Sequence, residues 1–134
     1  MRIAVTGGRD YTDQERLYAV LDALHPTELA HGGAPGADSL AGRWARERGV
    51  LCRVYEARWT GYARRWAGHV RNGFMLDDFR PELLVVFPGD RGTRNCLGQA
   101  QDREIPYLLA CSERAVRALS TEDPRGALLL CVVA

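Results

Sequence analysis

Three glycine-rich turns constrain this chain more than any other feature. Each directly follows a short apolar run and precedes a segment of helical periodicity. They read TGGRD (Thr6 to Asp10), HGGAPGAD (His31 to Asp38) and FPGDRGTRN (Phe87 to Asn95). The runs before them are Ile3-Ala4-Val5, Leu29-Ala30 and Leu83-Leu84-Val85-Val86. A strand, a glycine turn and a helix N-terminus together make an anion site, because unpaired helix N–H groups and the helix dipole favour negative charge. Three such turns converge only if their strands lie parallel in one sheet with all three turns at one edge.

The rest of the chain reads as alternating strands and helices. Residues 2–6 form a first strand. Thr12-x-x-Glu15 is a capping-box pattern, and Leu17, Val20, Leu21 and Leu24 follow at helical spacing until Pro26. Glu28 to His31 is a short second strand. Asp38 or Ser39 opens the next helix, with Leu40, Trp44 and Ala45 on one face and an end near Gly49. Val50 to Tyr55 alternates as a third strand, and 56–60 is a loop. A long helix runs from about Tyr62 to Phe79, its apolar stripe being Trp66, Val70 and Phe74, with Pro81 as its stop. Leu83 to Phe87 is continuous and apolar, which suits a strand buried on both faces. Gly92 to Arg103 is helical, Ile105 to Ala110 a further strand, Glu113 to Leu119 a short helix and Ala127 to Ala134 a last strand. This alternation predicts an α/β fold: a Rossmann-like, doubly wound, mainly parallel sheet with helices on both faces. In such sheets ligands bind beyond the carboxyl ends of the strands, where strand order reverses.

At 134 residues the chain fits a single domain, with a core over 1–110 and a C-terminal extension over 111–134. The net charge of +1 argues against a large nucleic-acid footprint. All 18 basic residues are Arg, so every cationic contact is a planar fork suited to carboxylate and phosphate. The four cysteines are Cys52, Cys96, Cys111 and Cys131; they contain no C-x-x-C, and three of them sit in apolar runs as buried thiols. No metal site and no cofactor are expected. The N-terminus reads as a core strand rather than a signal peptide, and no apolar run approaches membrane-spanning length, so a reducing cytoplasm is the expected location. The apolar last strand needs covering, so self-association is expected.

The third turn is the sharpest chemical element. Pro88, Gly89 and Gly92 let backbone N–H groups approach a phosphate, and Thr93 can cap the helix or donate its hydroxyl. It is neither a Walker A loop nor G-x-G-x-x-G. Asp90 within a phosphate cradle would repel the ligand unless it points away or binds a hydroxyl, a base donor or a cation. In the second turn Gly32, Gly33 and Gly36 can wrap another part of the same ligand, and Asp38 is either the helix N-cap or an acceptor for a ribose hydroxyl. Thr6, Gly7, Gly8 and Arg9 supply the first wall. Arg71 and Asn72 share a helix with Arg64, Arg65 and His69; this is either a solvated basic face or, since Arg71 lies on the shoulder of the apolar stripe, a place from which its fork reaches the sheet edge. Trp59 and Tyr62 either stack on a base or pack against the helix. His31 ends a strand and can face the crevice. Cys96 is either a first-turn thiol of lowered pKa or a small buried side chain. No catalytic triad and no close carboxylate pair is present.

With these residues in hand, the chain resembles the YspA/YpsA-related branch of the SLOG superfamily, relatives of the Lonely-guy phosphoribohydrolases and DprA-type DNA-processing proteins. TGGRD, HGGAPGAD with LAGRWA, the Trp59 region, RNGFML (Arg71 to Leu76) and FPGDRGTRN occur in that order over roughly residues 1–110. The resemblance implies a nucleotide or nucleotide-derived ligand. In the Lonely-guy enzymes a proline-glycine-glycine-x-glycine-threonine loop holds phosphate, a Glu three residues past its Thr assists glycosidic cleavage, and an Arg on the long helix acts with it. Pro88, Gly89, Gly92 and Thr93 match the loop, while Arg71 and Met75 match the helix and Asn72 replaces a Lys. The Glu position is Cys96 and the second loop glycine is Asp90. Pro35 and Arg58 also depart from the branch's pattern.

Hydrolysis of an N-glycoside passes through a cation-like sugar that a carboxylate stabilises, which a thiol does poorly. The expected function is therefore binding of a nucleotide-like small molecule, as a sensor or sequestering module. The first alternative is an N-glycoside hydrolase acting on nucleoside 5′-monophosphates, with Asp38 or Asp90 replacing the lost Glu beside Arg71. The second is a DNA-processing accessory.

Overall fold

The computed structural model describes residues 1–58 and 66–110. Five strands, β1 (Arg2–Thr6), β2 (Glu28–His31), β3 (Leu51–Val54), β4 (Leu83–Val86) and β5 (Tyr107–Leu109), form one sheet in the order β3-β2-β1-β4-β5. Every pairing is parallel. Four helices connect them: α1 (Gln14–Leu24), α2 (Ala37–Arg48), α3 (Ala67–Phe79) and α4 (Arg91–Asp102). The fold is Rossmann-like α/β. Strand order reverses between β1 and β4, so the sheet's switch point lies between the first and third glycine turns.

The apolar runs form central strands because both of their faces are covered. Ile3, Val5, Leu29, Leu83 and Val85 face one way, against Leu17, Val20 and Leu21 of α1 and Ala41, Trp44 and Ala45 of α2. Ala4, Ala30, Leu84 and Val86 face the other way, against Met75, Leu76 and Phe79 of α3 and Cys96 and Ala100 of α4. The period of two along each strand thus sorts side chains between two cores.

Several local expectations are corrected. Helix α1 is capped by Asp13, whose carboxylate accepts from the Arg16 N–H at 3.1 Å, and not by Thr12. With the cap at 13, Glu15 falls one position short of closing a capping box. Helix α2 begins after Gly36, and neither Asp38 nor Ser39 caps it. Strand β3 lies at the sheet edge with Leu51 and Val54 exposed, and Cys52 beside them is only half-buried. On α3 the Trp66, Val70 and Phe74 stripe faces outward, each residue more than half exposed. The buried face is Asn72, Met75, Leu76 and Phe79. Helix α3 carries two apolar stripes at helical spacing, and one sheet face can cover only one of them. On the covered side, Gly73 lies against the side-chain ends of Gln99 in α4 and of Arg103 just after it.

Trp59, Tyr62, Arg64, Arg65, Cys111, Cys131, the helix expected at 113–119 and the strand expected at 127–134 lie outside the described residues. Among the described residues, no helix is long and apolar enough to cross a membrane.

Candidate ligand crevice at the carboxyl edge

The three turns follow β1, β2 and β4 and meet at the same edge of the sheet. Gly8 is their common anchor. Its N–H donates to the Pro88 carbonyl at 2.7 Å, and its own carbonyl accepts from the N–H of Ala37 at 3.1 Å and of Tyr11 at 3.2 Å. One residue therefore ties the first turn to the third turn and to the start of α2. This contact needs a bare backbone at Gly36, where φ is +79° and a Cβ would fall on the Gly8 carbonyl.

Between the turns lies a crevice of about 230 Å³. The first turn contributes Thr6, Gly7, Gly8 and Arg9, the second Gly32, Ala34 and Asp38, and the third Asp90, Arg91, Gly92 and Thr93. Helix α3 closes the remaining side with His69, Arg71 and Asn72, and Met75 lies deeper. The other expected residues stand around it. Pro88 and Gly89 line an adjoining cleft with Asp10 and Tyr11, Gly33 borders a smaller side cavity, and Gly36 sits in the Gly8 junction.

Asp38 is 6% exposed, and its two oxygens have different surroundings. Oδ2 accepts from the N–H of Gly32 at 3.1 Å and of Ala34 at 3.2 Å, which pins the second turn to the first turn of α2. Oδ1 has no partner among the described residues, and the side chain borders the crevice. Burial pushes the carboxyl up to about 6, against the opposing pull of the Ala34 N–H, the Arg71 guanidinium and the Gly32 N–H. Above that pH it presents an ionised acceptor to any donor that enters.

Arg71 is held at three points. Nη1 donates to the Gly32 carbonyl and, at 3.4 Å, to the Tyr55 carbonyl, while Nε donates to Asn72 Oδ1 at 2.9 Å. The guanidinium lies so close to Gly32 that a side chain there would collide with it. Nη2 has no partner among the described residues, so half of a preset fork remains for a ligand. Asn72 is oriented in turn: its Nδ2 donates to Asn95 Oδ1 at 3.2 Å and to the Gly92 carbonyl at 3.4 Å. Gln99 bonds both Asn95 Oδ1 and the His69 carbonyl at 2.8 Å. Sequence reasoning passed over Asn95 and Gln99; their separation of four on α4 was the available signal.

Helix α4 opens directly into the crevice. Asp90 is its N-cap residue but makes no side-chain cap bond, and Arg91, Gly92 and Thr93 occupy the first turn. Those first-turn N–H groups have no intrahelical acceptor. Thr93 is 6% exposed and Asp90 is exposed, both at the crevice wall.

Two candidate residues are placed elsewhere. His31 does not line the crevice; its Nδ1 accepts from the Gly33 N–H at 3.0 Å. Burial, then Arg46 and Arg71, push it down to about 4, so it is a neutral turn-fixing side chain. Cys96 is fully buried on the core-facing side of α4, and burial pushes its thiol up to about 11. A first-turn thiolate is therefore excluded, and position 96 offers neither charge nor access. No group of three or more His, Cys, Asp or Glu able to hold a metal occurs among the described residues.

The family model for the YspA, cpYpsA-related SLOG family matches residues 1–62. The gene 61 protein of Mycobacterium phage D29 is 34% identical over 119 residues, covering 80% of this chain and 94% of that protein. This chain belongs to the YspA/cpYpsA-related SLOG family. Among solved structures, the UDP-GlcNAc 2-epimerase of Neisseria meningitidis, bound to UDP-GlcNAc, matches with a TM-score of 0.52 at 15% identity. That match covers 97% of this chain but only 43% of the epimerase, so this chain spans less than half of it, and the likeness is one of fold.

Proposed function

We propose that the crevice binds a nucleotide or nucleotide-derived small molecule, and that the protein acts as a sensor or sequestering module. The observation that carries this reading is the convergence of the three turns and Arg71 on one crevice at the switch point. The α4 N-terminus, with Thr93 and the open Nη2 of Arg71 nearby, suits the phosphate. Asp38 Oδ1, also at the crevice, suits a hydroxyl donor on the sugar, because an ionised acceptor repels phosphate and attracts an O–H. A ligand with an anion at one end and hydroxyls in the middle matches both. Buried Cys96 at the position of the Lonely-guy carboxylate weighs for binding over hydrolysis.

Calorimetry and thermal shift with nucleoside monophosphates, cyclic nucleotides and ADP-ribose derivatives test the reading. A rise in melting temperature with at least one of them is expected, since a ligand that binds only the folded state stabilises it by mass action. No shift at millimolar concentration with any of them overturns it.

A second reading has one observation behind it. A crevice-facing carboxyl raised to about 6 is poised for general acid–base work near neutral pH, so Asp38 is the candidate for nucleotide N-glycoside hydrolysis. Chromatography for free base after incubation with nucleoside 5′-monophosphates decides it. Release that is absent, or unchanged by Asp38→Asn, removes hydrolysis at Asp38.

A further inference from the structure

The crevice is small for the ligand class it suits. Sites for small organic ligands span about 300–1,000 Å³, whereas this one holds about 230 Å³. A phosphate and a pentose use that space, and a base needs more. The additional space lies across Arg71. A groove of about 500 Å³ runs between the end of β3 and α3, and Arg71 borders both cavities. A side cavity, also bordered by Arg71, shares Gly32 and Ala34 with the crevice and Glu56 and Ala57 with the groove, so it adjoins both.

The groove is the more apolar of the two. Val54, Val70 and Phe74, each more than half exposed, line it together with Tyr55, and Glu56 and Arg58 also border it. The Phe74 ring is held edge-on by Tyr55, with centroids 5.8 Å apart and planes at 65°. Tyr55 is held in turn by the Asp78 carboxylate, which accepts from its hydroxyl at 2.6 Å. A preset aromatic ring and a tethered guanidinium thus border one groove. Both surfaces prefer a flat π-system to an aliphatic chain.

Resting on the phosphate–sugar reading of the crevice, we propose that the groove bounded by Arg71, Val70, Phe74 and Val54 is the subsite for the aromatic base of the same ligand. Arg71 then stands between the two halves, its Nη2 toward the sugar-phosphate and its face toward the ring. The exposed stripe on α3, which no described residue covers, acquires an occupant of matching shape and polarity.

The test uses the full chain and two probes that share a phosphate and a pentose, AMP and ribose 5-phosphate, measured by calorimetry. AMP is expected to bind at least tenfold more tightly. Phe74→Ala, and separately Val54→Ser, are expected to cut that ratio by at least fivefold; both positions are exposed, so folding is preserved, with melting temperature as the control. Equal affinity for the two probes in the wild type, or an unchanged ratio in both variants, overturns the base subsite while the crevice reading stands. Binding of neither probe overturns the base subsite, and the crevice reading falls with it only if the wider nucleotide panel also gives no shift. Sedimentation at several concentrations covers the remaining occupant: a dimer lost in Phe74→Ala with an unchanged probe ratio assigns the groove to a second copy and overturns the proposal.

Discussion

At the scale of single residues, His31 and Asp38 titrate against each other. The His31 imidazole is held at about 4 rather than 6.5, so the unfolded chain takes up its proton first as pH falls. Stability from this group is complete above pH 6.5 and declines toward pH 4. The Asp38 carboxyl is raised from 3.8 to about 6, so the folded protein takes up its proton first and gains stability between pH 6 and 4. Each shift corresponds to about 3 kcal/mol at most. The two slopes therefore oppose each other in nearly the same window. Asp38→Asn keeps an acceptor for Gly32 and Ala34 but removes the titration. This variant should lose stability steeply between pH 6.5 and 4 while the wild type changes little, as read by urea unfolding at several pH values.

Two crevice residues give binding predictions at the same scale. Arg71→Lys keeps the charge but loses the fork, so affinity for a phosphate ligand such as AMP should fall about tenfold. Calorimetry measures this, and unchanged affinity would place the guanidinium outside the ligand's reach. Asp90→Gly removes a carboxylate at the phosphate end of the crevice and should tighten AMP binding several-fold, more at low salt than at high. Weaker binding in this variant would instead mark Asp90 as a ligand contact.

At the scale of elements, the α2 N-terminus is the most demanding junction. Gly36 combines positive φ with direct backbone contact to Gly8 and Arg9. Gly36→Ala should therefore cost more than the roughly 1 kcal/mol of an ordinary left-handed alanine, because the first and second turns must separate. Lower melting temperature together with lost AMP binding is the expected pair of results. Asp13→Ala removes only a side-chain cap and should cost about 1 kcal/mol in denaturant unfolding, with AMP binding intact. The elements also mark how far the sequence was legible. The β1, β2 and β4 runs were readable because a strand covered on both faces is continuously apolar. The buried face of α3 was not, because Trp66-Val70-Phe74 and Asn72-Met75-Leu76-Phe79 both fit helical spacing. Of the two roles open to Asp38, the structure removes the N-cap for a related reason. A carboxylate at a helix start can reach its own helix or the preceding loop, and here the loop N–H groups of Gly32 and Ala34 hold it.

At the scale of the whole molecule, the sheet has a fully covered centre, and among the described residues β3 is an edge strand with Leu51 and Val54 exposed. Leu84→Ala, in the middle of β4, should cost about 2–5 kcal/mol through lost burial and cavity formation. Leu51→Ala on the edge should stay within about 0.5 kcal/mol of wild type. Parallel denaturant titrations check the contrast, which follows from Leu84 being fully buried and Leu51 62% exposed.

From the sequence alone came the alternation of strands and helices, the three turns and a thiol rather than a carboxylate at position 96. Those are local properties, written in periodicity, turn chemistry and residue type. The tertiary structure alone decided that β1 lies between β2 and β4, which brings turns from residues 6, 32 and 90 around one crevice. It also decided which stripe of α3 the sheet covers, and that Arg71 is tied to Gly32 and Tyr55 where two cavities adjoin. Those outcomes depend on contacts between segments distant in the chain, where strand order and backbone approach, rather than spacing along the sequence, set the distances.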